Sequence, residues 1–225
     1  MSQVLLVRHG QASWGAADYD VLSGTGEQQS RVLGAALAAR GVRPSLVVRG
    51  AMRRHRQTAD AAVRAAGWDV GTLEDTGWNE FDHVQMLSLH PAGPGDTTGE
   101  GLDREAFQRW FEAATARWTG GDFAEEYDES FAAFGMRVEA ALRRTVEQLD
   151  RIDSGGTAVV FTSGGPAAWV ATSLLGGDAS VWMRLNPVTV NASVTKLVVG
   201  RRGTTLVSFN DHSHLEVETD LLTYR

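Results

Sequence analysis

At 225 residues, with 43% apolar and 22% charged side chains, the chain has the composition of an ordinary folded protein and enough length to bury a substantial core. A formal charge of −7 argues against a broad surface for nucleic acid or anionic membrane, so any anion site must be local. The lack of cysteine excludes disulfides, thiolate metal sites and a thiol nucleophile; no apolar run is long enough for a signal peptide or a membrane span, which makes the cytoplasm the expected compartment.

In chain order, an apolar run from Val4 to Val7 has strand character and stops at Arg8 and His9, after which Gly10 lets the backbone turn. The segment from Gln11 to Leu22 is a polar loop with Trp14, Asp18, Tyr19 and Asp20. Thr25, with Gln28 three residues on, has the spacing of a helix N-cap, and the helix buries Val32, Leu33, Ala36 and Leu37 before closing at Gly41. Residues 45–49 read as a second buried strand, followed by a helix from about Met52 to Ala66. Strand, helix, strand, helix in that order predicts a parallel sheet with crossover helices.

Residues 72–82 hold a short strand and then Trp78-Asn79-Glu80-Phe81-Asp82-His83, and 91–102 form a loop rich in glycine and proline. Phe107, Trp110, Phe111, Ala114 and Trp118 recur at helical spacing, as do Phe131, Phe134, Val138, Leu142, Thr145 and Leu149; both stripes are expected to face a core. A third strand runs from Thr157 to Phe161, with a helix from Pro166 to Leu175 after it. Val188–Val199 and Thr204–Asn210 read as the arms of a closing hairpin around Gly200-Arg201-Arg202-Gly203. The expected class is α/β: three α/β/α layers on a central, mostly parallel sheet, in a single domain over 1–225 with an inserted region at about 81–130.

Three strand exits would then meet at one sheet edge, the edge where open α/β sheets bind ligands. The first carries Arg8 and His9. The second leads into a helix on which Arg54 lies one turn before Thr58. The third ends in Thr162-Ser163-Gly164-Gly165-Pro166, a helix start whose glycines leave backbone N–H groups open to an anion. Lys196 is the sole lysine among 21 basic residues, so arginine is the general-purpose cation here and only a patterned arginine is informative. Two guanidiniums, an imidazole and a helix start make a trap of phosphate size.

These residues resemble the histidine phosphatase superfamily, the phosphoglycerate-mutase-like enzymes, over nearly the whole chain. Arg8-His9-Gly10 matches its signature tripeptide, Leu22-Ser23-Gly24-Thr25-Gly26-Glu27-Gln28 its Leu-Ser/Thr-x-x-Gly-x-x-Gln element, and Arg54-His55-Arg56-Gln57-Thr58-Ala59 its Arg-x-x-Gln-Thr-Ala helix. Asn79-Glu80-Phe81 falls where that family places an acid. The resemblance implies a phosphatase that needs no metal or cofactor and acts on a small phosphorylated metabolite. His9 would attack phosphorus, Arg8 and Arg54 would hold the non-bridging oxygens, and Glu80, or Asp82 in its place, would serve as general acid and then base. Such a carboxyl needs a raised pKa, which burial among Trp78, Phe81 and neighbouring aromatic residues would supply.

Two departures from the family pattern qualify this. The family's second histidine, in a His-Gly pair after the third strand, is replaced by Ser163-Gly164; Ser163 and Gly164 are expected to bind phosphate nonetheless, through the hydroxyl and backbone N–H groups. Gly50 stands where the family commonly has serine, and Gly15 where the mutases have asparagine, changes that weaken a mutase assignment more than a phosphatase one. A phosphoglycerate-type mutase, a catalytically impaired phospho-ligand binding protein and a serine hydrolase on Ser163 are the competing readings. The last lacks the first glycine of a nucleophile elbow. Arg53, Arg56, His55 and His83 read as surface or structural residues, Asn191 and Asn210 as neighbours of the pocket, and His212 and His214 as a solvated or hydrogen-bonding pair and not a metal set. Neither nucleic acid nor membrane is an expected partner, and a homodimer is expected if the aromatic stripe of the insertion is exposed.

Overall fold

The computed structural model describes residues 1–13, 20–91, 102–216 and 219–224. Trp14, Gly15, Asp18 and Tyr19, and most of the 91–102 loop, lie outside the described residues. The chain divides into two compact units, Met1–Glu80 with Val138–Arg225, and Phe81–Arg137.

The first unit is built on one six-stranded sheet. In chain order its elements are β1 (Ser2–Arg8), α1 (Gly24–Ala39), β2 (Leu46–Arg49), α2 (Arg53–Ala66) and β3 (Thr72–Glu74). In the second unit come α3 (His83–Ser88) and α4 (Arg104–Gly120), and the boundary between the units falls inside α5 (Phe131–Ile152). The remainder of the first unit is β4 (Thr157–Thr162), α6 (Gly164–Leu174), α7 (Ala179–Leu185), β5 (Val194–Gly200) and β6 (Gly203–Asp211). Strand order is β3-β2-β4-β1-β5-β6. The first four are parallel, and the β5–β6 hairpin adds antiparallel to β1, as the alternation of strands and helices predicts.

Burial explains the layers. Leu5, Val7, Val47, Val159 and Phe161 form one core with Leu33 and Leu37 of α1 and Ala59 and Ala62 of α2. Val4, Leu6, Val48, Ala158 and Val160 point the other way and are equally buried, so the opposite face is covered too, and these strands are apolar throughout instead of alternating. α1 and α2 approach closely at Gly34, where a Cβ would lie 2.8 Å from the Cα of Ala62.

Register then sets the position of the site. Arg8 pairs with Thr162 and Arg49 with Phe161, so β1, β2 and β4 finish at the same level. His9, Gly50 and Ser163 are therefore delivered to one edge. α1 begins earlier than the Thr25 cap predicts: Ser23 is the N-cap, accepting from the Gly26 N–H at 3.1 Å.

The second unit packs around a cluster of aromatic residues. Trp118 stacks on Phe81 with ring centres 4.8 Å apart and meets Phe131 edge-on at 5.1 Å, while its indole N–H donates to the Glu129 carbonyl. Trp110, Ala114 and Trp118 of the helical stripe are buried, while Phe107 and Phe111 keep part of their surface exposed. Among the described residues no helix is long and apolar enough to cross a membrane.

Candidate active site

His9 is gripped by backbone. Its N–H donates to Thr162 O at 2.9 Å, and its carbonyl accepts from the Ala192 N–H and the Asn191 side-chain amide, both at 3.2 Å. Ala192 holds a left-handed φ of 57° to do so, uncommon for a residue with a Cβ. Asn191 is fully buried and in turn accepts from Thr223 Oγ1. Asn210, with φ of 60°, instead ties Val188 and Val190.

The ring of His9 is poised in one protonation state. Nδ1 lies 2.7 Å from the Gly10 carbonyl, an acceptor that carries no hydrogen, so Nδ1 bears the proton and Nε2 keeps its lone pair. Burial, then the cations of Arg54 and Arg8, and then His55, push the imidazole pKa well below its ordinary value. A neutral ring with an open Nε2 is the nucleophilic form.

Gly10 and Gly26 let the β1 exit sit against the start of α1. A Cβ on Gly10 would overlap the Gly26 carbonyl and lie 2.9 Å from Ser30 Oγ; one on Gly26 would overlap the Gln11 carbonyl and lie 2.8 Å from Gln11 N. Gly10 is thus required by close approach, not by an unusual φ. Its N–H donates to Thr58 Oγ1, which donates to the Arg54 carbonyl, so α2 holds the loop. The polar residue that completes the downstream element is Gln29 and not Gln28. Fully buried, Gln29 accepts from the Gln11 N–H and donates to Leu221 O and Thr223 Oγ1, all at 2.8 Å.

The two arginines are brought to the same edge. Arg54 is 5% exposed, and its Nη1 donates to Asp20 Oδ1 at 2.7 Å, while Asp20 Oδ2 accepts from the Arg53 N–H at 2.8 Å. Nη1 of Arg8 donates to the Thr189 and Tyr224 carbonyls. Its Nε sits 3.5 Å from where a Cβ on Gly164 would project, so Arg8 runs alongside the start of α6. The half-buried Glu80 reaches that start as well, accepting from the Gly165 N–H at 3.2 Å. Asp82, its alternative, is exposed and caps α3, accepting from the Val84 and Gln85 N–H groups.

Ser163 departs from expectation. It has no exposed surface, and its Oγ lies 2.7 Å from His55 Nε2, so the hydroxyl is engaged with a side chain of α2. His55, read from sequence as surface or structural, is fully buried with its ring centre 5.7 Å from that of His9. The signal that could have found it is its place beside Arg54, one residue from a patterned cation on a helix that starts at the sheet edge. Burial, then Arg54 and Arg49, hold its pKa well below the ordinary value. Arg53 and Arg56 are exposed, as expected, and His212 and His214 bond separate backbone carbonyls.

The profile of the histidine phosphatase superfamily (branch 1) matches residues 4–212. A 2,3-bisphosphoglycerate-dependent phosphoglycerate mutase of Mesorhizobium japonicum is 29% identical over 174 residues, 73% of this chain and 77% of that one. The corresponding mutase of Corynebacterium diphtheriae is 32% identical over 116 residues; the match spans 48% of this chain and less than half, 45%, of the relative. Among solved structures, a phosphoserine phosphatase of Entamoeba histolytica has the same fold, with a TM-score of 0.66 at 18% identity, covering 96% of this chain and 100% of that one. The profile match covers the site residues at all three strand exits, and by it the chain belongs to the histidine phosphatase superfamily.

Proposed function

We propose that the protein is a phosphatase that hydrolyses small phosphorylated metabolites through a phosphohistidine on His9. The observation that carries this is the Nδ1–Gly10 bond, which leaves a neutral, electron-rich Nε2 beside two guanidiniums. Nε2 attacks phosphorus as the ester P–O bond breaks, and the electron pair of that bond leaves on the ester oxygen. Glu80 donates a proton to that oxygen, so the alcohol departs neutral. Water then attacks the phosphohistidine, Glu80 takes its proton back, and the P–N bond breaks to return His9 and inorganic phosphate. Arg8 and Arg54 offset charge on the non-bridging oxygens, and the Gly164 N–H at the helix start offers a further donor. With the arginines supplying positive charge, turnover is expected to survive a chelator.

The mutase relatives favour a second reading, in which the phosphohistidine returns its phosphoryl group to another oxygen of the substrate. Rapid quenching with a 32P-labelled phosphorylated metabolite separates the two. Hydrolysis predicts label on His9 that passes to inorganic phosphate, whereas a mutase passes it to isomeric ester and depends on bisphosphate. His9→Ala is expected to abolish the label and to lower kcat by about a thousandfold or more. Turnover by that variant at an undiminished rate would exclude both readings.

A further inference from the structure

His55 is a buried imidazole that the reaction above does not use. The neighbours of its ring explain two departures in sequence at once. Gly50 stands against Nδ1: a Cβ there would overlap that nitrogen and lie 2.8 Å from Asn79 Oδ1. Ser163 meets the opposite edge through Nε2. Glycine at 50 makes room for the ring, and serine at 163 gives it a partner.

The direction of that hydrogen bond follows from the other nitrogen. Nδ1 has no hydrogen-bonding partner among the described residues. A buried orphan N–H is rarer and costlier than an under-used lone pair, so the proton lies on Nε2 and His55 donates to Ser163 Oγ.

Ser163 is also the N-cap residue of α6, yet it makes no capping bond. A serine there ordinarily accepts from the N–H of the second or third helical residue. The third, Pro166, has no N–H, so the one available partner is Gly165, whose N–H is instead given to Glu80. The hydroxyl that would have competed for it is turned toward His55.

We propose that His55 is a positioning residue that keeps Ser163 from capping α6, so that the first N–H groups of the helix stay open to Glu80 and to the bound anion. This rests on the reading of the His9 edge as a phosphate site. It gives Ser163 a role different from direct contact with phosphate, and it makes Gly50, His55 and Ser163 one matched set.

The test is titration calorimetry with inorganic phosphate on the full chain, alongside kcat for p-nitrophenyl phosphate and the thermal midpoint. His55→Leu fills the space without a donor and is expected to weaken phosphate binding about tenfold, the order of one lost hydrogen bond to a charged group. His55→Gln, which carries an N–H at the same depth as Nε2, should retain most of the affinity. Ser163→Ala should lower the midpoint yet keep affinity within about threefold, because the helix N–H groups stay open. The decisive variant is the double one: Ser163→Ala added to His55→Leu removes the competing cap and should restore binding. Wild-type affinity in His55→Leu, or a double variant no better than His55→Leu, overturns the proposal. So does a tenfold loss in Ser163→Ala alone, which would mean that the hydroxyl touches phosphate. Should His55→Leu fail to fold, His55→Asn carries the same expectation, since its amide ends at the depth of Nδ1. If the unaltered protein binds phosphate but hydrolyses no ester, the phosphatase reading falls while these binding comparisons still decide the role of His55; if it binds no phosphate, both fall.

Discussion

At the β1 exit backbone fit sets the limits. His9 bonds the main chain of Thr162 and Ala192 and, through its ring, the Gly10 carbonyl; side chains of Asn191, Thr58 and Gln29 add bonds, but the loop is pressed so closely on α1 that no Cβ fits at Gly10 or Gly26. The β4 exit also relies on side chains, with Ser163 tied to His55 and Gly165 to Glu80, and the atoms that a Cβ on Gly164 would meet are side-chain atoms: Asn186 Oδ1 at 3.2 Å, a tight contact that a shift of a few tenths of an ångström relieves, and Arg8 Nε at 3.5 Å. Backbone-to-backbone fit admits few sequences, whereas side-chain fit can be rebuilt by compensating changes. That contrast accounts for a signature tripeptide kept intact at one exit and a rewired pair at the other.

Alanine at the two glycines tests the contrast, and the largest effect is expected at Gly10. The added Cβ would strike the Gly26 carbonyl and the Ser30 side chain, and neither backbone can retreat without moving His9. Gly10→Ala should cost about 3 kcal/mol, or about 6–12 °C in thermal midpoint, with a large fall in kcat. Gly164→Ala asks only that Asn186 and Arg8 yield slightly and should shift the midpoint by about 2 °C or less. Equal losses at both positions would refute the contrast.

The same contrast separates what is legible in the sequence from what is not. Apolar runs ending in polar residues locate β1, β2 and β4, and because the parallel register aligns their ends, Arg8, His9 and Arg54 fall together without further information. Glu80 and Gly164 follow from the same geometry. His55 follows less directly: its place beside Arg54 is a hint, but its partner is 108 residues away, and helical periodicity alone does not distinguish an inward imidazole among arginines from a solvated one. The Thr25 cap misreads its position by two residues, since Ser23 and Thr25 satisfy the same local rule and only the entry of the chain decides between them. Asn191 serves the site through a main-chain carbonyl, a bond to which any sequence pattern is blind.

A moderate effect is expected from acid. His9 and His55 both have pKa values held well below the ordinary histidine value of about 6.5, and His214 is lowered to about 4, mainly by burial. Above about pH 6.5 these rings are neutral whether the chain is folded or not, and they contribute no pH dependence. Below it the unfolded chain takes up protons that the folded chain refuses, so stability falls with pH, each ring removing up to about 1.4 kcal/mol per unit until its folded pKa is reached. Denaturant titrations between pH 7 and 5 should show this slope, and His55→Gln should lessen it by one proton. An unchanged slope in that variant would mean that His55 titrates normally.

The smallest effect concerns Asp20, which pairs with the arginine proposed to hold phosphate. One carboxylate oxygen holds Arg54 Nη1 and the other the Arg53 N–H at the first residue of α2, so the negative charge both offsets the Arg54 cation and satisfies a helix terminus that Met52 leaves uncapped. Asp20→Asn keeps the acceptor for the Arg53 N–H and removes the charge. Two consequences of opposite sign follow: phosphate should bind about three to five times more tightly, as expected for relief of one partly exposed like charge, while the thermal midpoint drops by about 1–4 °C. An improved affinity with a lower midpoint would show that this carboxylate tempers the cationic side of the pocket at the cost of ligand binding. If affinity instead fell, the ion pair would be holding Arg54 in its binding position, and the charge of Asp20 would belong to the scaffold of the site, as the hydroxyl of Thr58 does.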